Sequence, residues 1–227
     1  MKLRTLFMGT PDFAVPTLEA MSRAGHEIAA VYTQPDRPKG RGQQLAQSAV
    51  KQTALRLEIP VHQPERVRRP EVVAEIAALA PECIVVVGYG QIIPQAIIDI
   101  PRLGIVNVHA SLLPRYRGAA PIQWAIARGE TITGVTTMLI NAGLDTGDML
   151  LKAETQIGAE ETALEVAPRL ARIGAGLLIE TLDRLAAGTR KSSNVHSQHH
   201  RSVPALQARR GCAPTPLAGP LESSGQT

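Results

Sequence analysis

The run Cys83-Ile84-Val85-Val86-Val87 constrains the chain most. Five consecutive apolar residues, three of them β-branched valines, read as a strand buried on both faces. Such a strand sits at the centre of a parallel sheet covered by helices on either side. The run ends in Gly88-Tyr89-Gly90, where glycines let a ligand approach the backbone, although a plain turn would read the same way.

The N-terminal half supplies the neighbours such a strand needs. Leu3 to Met8 reads as a strand that stops at Gly9-Thr10-Pro11-Asp12. A helix from about Phe13 to Ala24 follows, with Gly25 as its stop, and Glu27 to Tyr32 reads as a second strand. Strand, turn, helix, strand in that order is the unit of a parallel sheet. The turn after the first strand is not G-x-G-x-x-G, so a dinucleotide site is not indicated. Helices are expected over 48–57, 70–79, 94–100 and 119–127, with a short strand at Val61. Further strands are expected over 136–140 and at the edge over 149–155. From Glu160 a helical region carries Leu164, Ala167, Ala171, Leu178, Leu182 and Leu185 at helical spacing, with Gly174 and Gly176 expected to divide it and Gly188 to end it. The fold class is therefore α/β, a Rossmann-like, mostly parallel sheet flanked by helices.

Charge is unevenly placed. The 227 residues carry a net +4, but 190–227 hold five basic residues and one acid, so 1–189 balance at 19 of each sign. The high pI belongs to the C-terminal stretch, and affinity of the body for a polyanion must come from local patches. One patch is Arg37, Lys39 and Arg41 in the loop 33–51, expected to be long and exposed: either a solvated loop or a phosphate-contacting one. Residues 190–227 lose all periodicity and are expected to be an aperiodic, disordered tail beyond a domain 1–189. His196, His199 and His200 in that stretch lack a second ligand cluster, so no metal site is expected. Two cysteines, no signal peptide and no membrane-length apolar run fit a cytoplasmic protein.

The chemistry concentrates in Gly104 to Gly118. Ile105 to His109 reads as a strand, and Asn107 and His109, at i and i+2, point to one face near its C-terminal end. In open parallel sheets ligands bind at that end. Two satisfied polar groups are the bland alternative for such a pair taken alone. Asp145, in the Gly- and Asp-rich loop Asn141 to Asp148, adds a carboxylate that can orient the imidazole and stabilise its protonated form. An Asn amide can donate to a carbonyl oxygen that becomes an oxyanion, and a His can move protons between nitrogens. No Ser or Cys is evidently poised as a nucleophile. The set suits acyl transfer between amines without a metal.

Asn107-Val108-His109, Ser111-Leu112-Leu113-Pro114, Arg117-Gly118-Ala119-Ala120-Pro121-Ile122 and Leu144-Asp145-Thr146-Gly147-Asp148 resemble the 10-formyltetrahydrofolate-dependent formyltransferases. Gly9-Thr10-Pro11-Asp12-Phe13-Ala14 and Gln34-Pro35-Asp36-Arg37-Pro38-x-Gly40-Arg41-Gly42 are similar to the branch that formylates methionyl-tRNA. The resemblance covers about residues 3–189. It implies a formyltransferase fold with Asn107, His109 and Asp145 catalytic. It implies that Ser111, Leu112, Leu113 and Pro114 bind the folate, with Tyr89 and Gly90 nearby. Phe13 would lie near the methionine side chain, and Arg37, Lys39 and Arg41 would meet the acceptor end of initiator tRNA. The expected cosubstrate is 10-formyltetrahydrofolate, with no metal and no membrane partner, on a monomer. The family continues into a linker and a β-barrel that helps to bind tRNA; a truncation or a reading-frame change near Ser197-Gln198 is expected here. Rival readings are a formyltransferase acting on a small amine such as glycinamide ribonucleotide or an amino sugar, a formyltetrahydrofolate hydrolase, and an inactive folate- or RNA-binding remnant.

Overall fold

The computed structural model describes residues 2–39 and 44–188. Strand Arg4–Gly9 (β1) leads through the 3-10 turn Asp12–Ala14 into helix Val15–Arg23 (α1), and Gly25, at φ +75°, turns the chain into Glu27–Tyr32 (β2). The next segment differs from the open loop expected. Arg37–Lys39 (β3) and Gln44–Ala46 (β4) pair antiparallel as a separate two-stranded ribbon. Arms of three residues are too short for periodicity to register in a sequence.

Ala49–Arg56 (α2) is capped by Ser48, whose hydroxyl accepts from the Lys51 N–H at 3.0 Å. Val61–His62 (β5), Pro70–Ala78 (α3), Cys83–Val87 (β6), Gln95–Ile98 (α4), Ile105–His109 (β7) and Pro121–Ala127 (α5) follow. Then come Ile132–Leu139 (β8), Met149–Gln156 (β9) and Ala163–Ala186 (α6).

Seven strands form one sheet in the order β5-β2-β1-β6-β7-β8-β9. Pairing is parallel from β5 through β7 and antiparallel at β7/β8 and β8/β9. β6 is central and wholly buried, as its composition required. Cys83, Val85 and Val87 join the cluster under α1 and α6, with Phe7, Leu18, Val108, Leu178 and Leu182. Ile84 and Val86 join the opposite cluster, with Tyr32, Val72, Ile76 and Ile97 from the α3 and α4 side. Each fully buried aliphatic side chain in these layers contributes about 1.5–3 kcal/mol.

α6 corrects two expectations. It runs unbroken past Gly174 and Gly176, because Gly174 is a contact point: a Cβ there would lie 2.9 Å from Val108 Cγ1 and 3.3 Å from Val135 Cγ1. Leu164, expected on the packed face, is 86% exposed at the helix start. Thr162 and Glu165 close a reciprocal capping box at that end.

From β1 the chain winds outward to β2 and β5, then returns to β6 and continues the other way. The reversal lies between β1 and β6, so their C-terminal ends border the crevice where ligands enter such sheets. Among the described residues no helix is long and apolar enough to cross a membrane, and no group of three or more His, Cys, Asp or Glu could hold a metal ion. Arg41, the histidines of the C-terminal stretch and residues 190–227 lie outside the described residues.

Candidate active site

The Asn-x-His pair ends β7, beside the crevice. Asn107 is partly exposed and His109 is 7% exposed. Both reach Asp145, which arrives from the loop joining β8 to β9. The Asn107 amide donates to Asp145 Oδ1 at 3.3 Å, and His109 Nδ1 lies 3.6 Å from Asp145 Oδ2. The latter is an ion-pair distance, longer than a hydrogen bond. A third group completes the carboxylate's surroundings: the Gly118 N–H donates to Oδ2 at 2.8 Å. Asp145 holds φ +47°, a left-handed conformation that Asp tolerates better than most side chains. Asn141 Oδ1 accepts from Gly143 N–H at 3.0 Å and from Thr146 Oγ1 at 2.9 Å, which folds the loop back toward β7.

The other imidazole nitrogen, Nε2, is 2.8 Å from the Tyr116 carbonyl oxygen. A carbonyl can only accept, so Nε2 carries the proton in this arrangement. Tyr116 is itself fixed. Its hydroxyl donates to Glu130 at 2.5 Å, and the Arg128 guanidinium lies 5.6 Å from its ring centroid. Burial first, and then the Glu130 contact, raise the Tyr116 phenol above its ordinary value.

Residues Ser111 to Pro114 follow β7 directly. Ser111 is fully buried and its hydroxyl donates to Arg115 O at 2.7 Å, so the side chain faces inward. Leu113 is buried as well, while Leu112 and Pro114 are partly exposed. What this stretch offers a ligand is mainly backbone and the two partly exposed side chains. Thr136 on β8 holds it from below. Its hydroxyl donates to Ser111 O at 2.7 Å and accepts from Leu113 N–H at 3.1 Å. Lys152 Nζ on β9 donates to Leu113 O at 2.5 Å.

Beyond the end of β6, the Tyr89 side chain is 1% exposed and packs into the core. Burial pushes its phenol up to about 12. Its carbonyl oxygen accepts from Thr10 Oγ1 at 3.0 Å and Gln34 Nε2 at 3.1 Å, which ties the ends of β1, β2 and β6 together. Gly90 holds φ +84°. Phe13 is partly buried against the core at the start of the first helical turn. Arg37 is exposed on β3, and Lys39 ends that strand. Among the described residues no hydrogen bond or ion pair links Phe13, Tyr89, Gly90 or Arg37 to the Asn107–His109–Asp145 group.

Sequence reasoning missed Tyr116, Gly118, Thr136 and Lys152. The first two lie in the very stretch singled out, and their main-chain atoms leave no mark in composition. Thr136 and Lys152 are ordinary strand residues whose role exists only across the sheet.

Comparison with known proteins accords with this architecture. The family described as Formyl transferase matches residues 1–182. A methionyl-tRNA formyltransferase of Solibacter usitatus is 66% identical over 187 residues, covering 82% of this chain and 60% of that protein. One of Koribacter versatilis is 58% identical over 207 residues, covering 91% of this chain and 66% of that one. The chain thus spans about three fifths to two thirds of the length of these relatives. Among solved structures, glycinamide ribonucleotide transformylase 1 from Symbiobacterium toebii superposes with a TM-score of 0.70 at 17% identity, covering 82% of this chain and 89% of that one. Phosphoribosylglycinamide formyltransferase from Brucella melitensis does so with 0.67 at 22%, covering 85% and 100%. At such identities the superpositions speak for the shared fold alone. With the profile matched over most of its length and relatives this similar, the chain belongs to the formyl transferase family.

Proposed function

We propose that the chain transfers a formyl group from 10-formyltetrahydrofolate to the α-amino group of methionyl-tRNA, with Asn107, His109 and Asp145 carrying the chemistry. The observation behind this reading is the single carboxylate of Asp145, which gathers Asn107, His109 and the Gly118 N–H at one strand end. The identity to relatives named as methionyl-tRNA formyltransferases supports the choice of acceptor.

The transfer needs no protein nucleophile. The neutral α-amine attacks the formyl carbon, forming a C–N bond, while electron density moves to the formyl oxygen. Asn107 spends one amide N–H on Asp145 and has a second to donate to that developing oxyanion. With Nε2 turned from the Tyr116 carbonyl to the substrate, His109 accepts the proton released by the attacking nitrogen and delivers one to N10 of the folate as the old C–N bond breaks. Asp145 holds the ring in place and balances its positive charge. The α-amine, with an ordinary pKa of about 7.7–8.0, has a usable neutral fraction near pH 7. Cys83 is no rival nucleophile: it is buried in β6, and burial pushes its thiol up to about 12.

In this reading the backbone and partly exposed side chains of Ser111 to Pro114 bind the folate, with the Tyr89–Gly90 turn nearby. Phe13 lies toward the methionine side chain, and Arg37, Lys39 and Arg41 meet the tRNA acceptor end. The chain works in the cytoplasm, where its acceptor is.

The test is a formyl-transfer assay with purified methionyl-tRNA and labelled 10-formyltetrahydrofolate, beside a donor-only reaction. Formylmethionyl-tRNA appearing only when all components are present supports the reading. Donor consumption independent of the acceptor would make the chain a hydrolase instead.

A further inference from the structure

The loops that follow β2, β5 and β6 are stitched together by three glutamines. Gln34 donates to Tyr89 O at 3.1 Å. Gln63 donates to Gln34 O at 2.9 Å and to Asp36 Oδ1 at 2.8 Å. Gln91 accepts from Val67 N–H at 2.7 Å and donates to Pro64 O at 3.1 Å. These loops all leave the C-terminal edge of the parallel sheet, the edge that carries His109.

The turn Glu65-Arg66-Val67-Arg68-Arg69 is part of that stitching. Val67 is 1% exposed, locked in the core beneath the turn, while the arginines on either side of it are exposed. The backbone that carries them is therefore ordered before any ligand arrives, which lowers the entropy lost on binding. The charges are also uncommitted. Arg4, Arg56, Arg102, Arg115, Arg169 and Arg184 each meet a glutamate. Arg69 lies 3.9 Å from Glu71. Arg66 and Arg68 have no ion-pair partner among the described residues, and neither does Arg37. Asp36, next to Arg37, is already neutralised by Lys51 at 2.5 Å. Glu65 is the one unpaired acid within the turn.

The two segments that carry these three arginines are joined. Gln63 touches the residue preceding Arg37, and the Arg66 Cα can lie no more than about 11 Å along the chain from that of Gln63. Unpaired guanidinium groups on a rigid frame suit phosphate oxygens, which they bind through paired N–H donors. On a body that is neutral overall, such a cluster is a local source of polyanion affinity.

We infer that Arg66 and Arg68, with Arg37, form a ridge that binds the sugar-phosphate backbone of the RNA acceptor. It extends the contact from the β3–β4 ribbon across the β5 end of the sheet. This inference rests on the proposed function, since it takes the acceptor to be a tRNA.

Direct binding separates the two. Anisotropy of labelled methionyl-tRNA against the 227-residue protein, over a salt series, is compared for wild type, Arg66→Ala/Arg68→Ala, Arg66→Lys/Arg68→Lys and a charge-matched control on α6, Arg172→Ala/Arg184→Ala. Loss of two phosphate contacts lowers the magnitude of the log–log salt slope by about 1.4–1.8. The alanine pair is expected to show that loss, the lysine pair to recover most of the slope, and the α6 control to match wild type. Tetrahydrofolate affinity is expected to be unchanged in all four. An unchanged slope in the alanine pair, or an equal fall in the α6 control, overturns the ridge. So does an absence of wild-type tRNA binding. Binding through the ridge with no formyl transfer would sink the proposed function and leave the ridge standing.

Discussion

Thr136 and Lys152 are register partners on β8 and β9, and both grip the backbone of the loop that follows β7. Thr136 uses its hydroxyl as donor and acceptor at once, while Lys152 covers the remaining carbonyl. The antiparallel edge thus braces the stretch proposed to bind the folate. Thr136→Val keeps the shape and removes both hydrogen bonds, stranding Ser111 O and Leu113 N–H in a buried setting. The expected cost is about 1–3 kcal/mol, read as a fall in Tm, together with weaker tetrahydrofolate binding. Lys152→Met is expected to do less, because Lys152 is exposed. Wild-type melting and folate affinity in Thr136→Val would show that the loop is held by other means.

His109→Ala is expected to slow formyl transfer by roughly 10²–10⁴-fold, the range for a general acid–base residue. Asn107→Ala is expected to cost roughly 10²–10³-fold through loss of an oxyanion donor. Tetrahydrofolate affinity is expected to change far less in either variant. Turnover near the wild-type value in one of them, measured with saturating methionyl-tRNA, removes that residue from the mechanism.

Two glycines on α6 are expected to respond in opposite directions. Gly174→Val drives methyl groups into Val108 and Val135 and is expected to destabilise by about 1–3 kcal/mol through overpacking. Gly176 is exposed, with nothing within 4 Å of a built Cβ. Gly176→Ala is expected to stabilise by about 0.5–1 kcal/mol, the helix-propensity difference. Urea denaturation of both variants decides this; equal and opposite signs to those stated would contradict the packing of α6 on the sheet.

Glu161 carries a pH-dependent contribution to stability. Its hydrogen bonds to Arg169, and then the Gly158 N–H, hold the carboxyl at about 2, below the ordinary 4.5. A depressed folded pKa stabilises the fold above the unfolded value, and the gain is lost as pH falls from about 4.5 toward 2. The stability gap between wild type and Glu161→Gln is expected to be constant above pH 5 and to shrink below it. A gap that does not change between pH 5 and pH 2.5 would mean that the ion pair is not felt in solution. Glu161 and Arg169 are partly exposed, so water screens the pair and the effect is small at any pH.

Local residue patterns were enough to set the sheet and its chemistry-bearing edge. Five apolar residues at Cys83–Val87 require cover on both faces, and the structure supplies it from alternate residues of the same strand. The i, i+2 spacing of Asn107 and His109 put them on one face because strand periodicity is two, a local property. What local patterns do not carry was decided by tertiary structure. Gly174 looked like a helix breaker, and only the approach of Val108 and Val135 shows why a missing Cβ is needed within an unbroken helix. Gly88-Tyr89-Gly90 reads as a turn open to a ligand, and only the tertiary structure shows that the Tyr89 ring fills the core while its carbonyl joins the loops. Asp145 stands 36 residues beyond His109 in sequence, and its two oxygens meet three partners only because β8 and β9 fold back beside β7. Hydrogen bonds between distant segments depend on the sheet's order and register, which no window of neighbouring residues encodes.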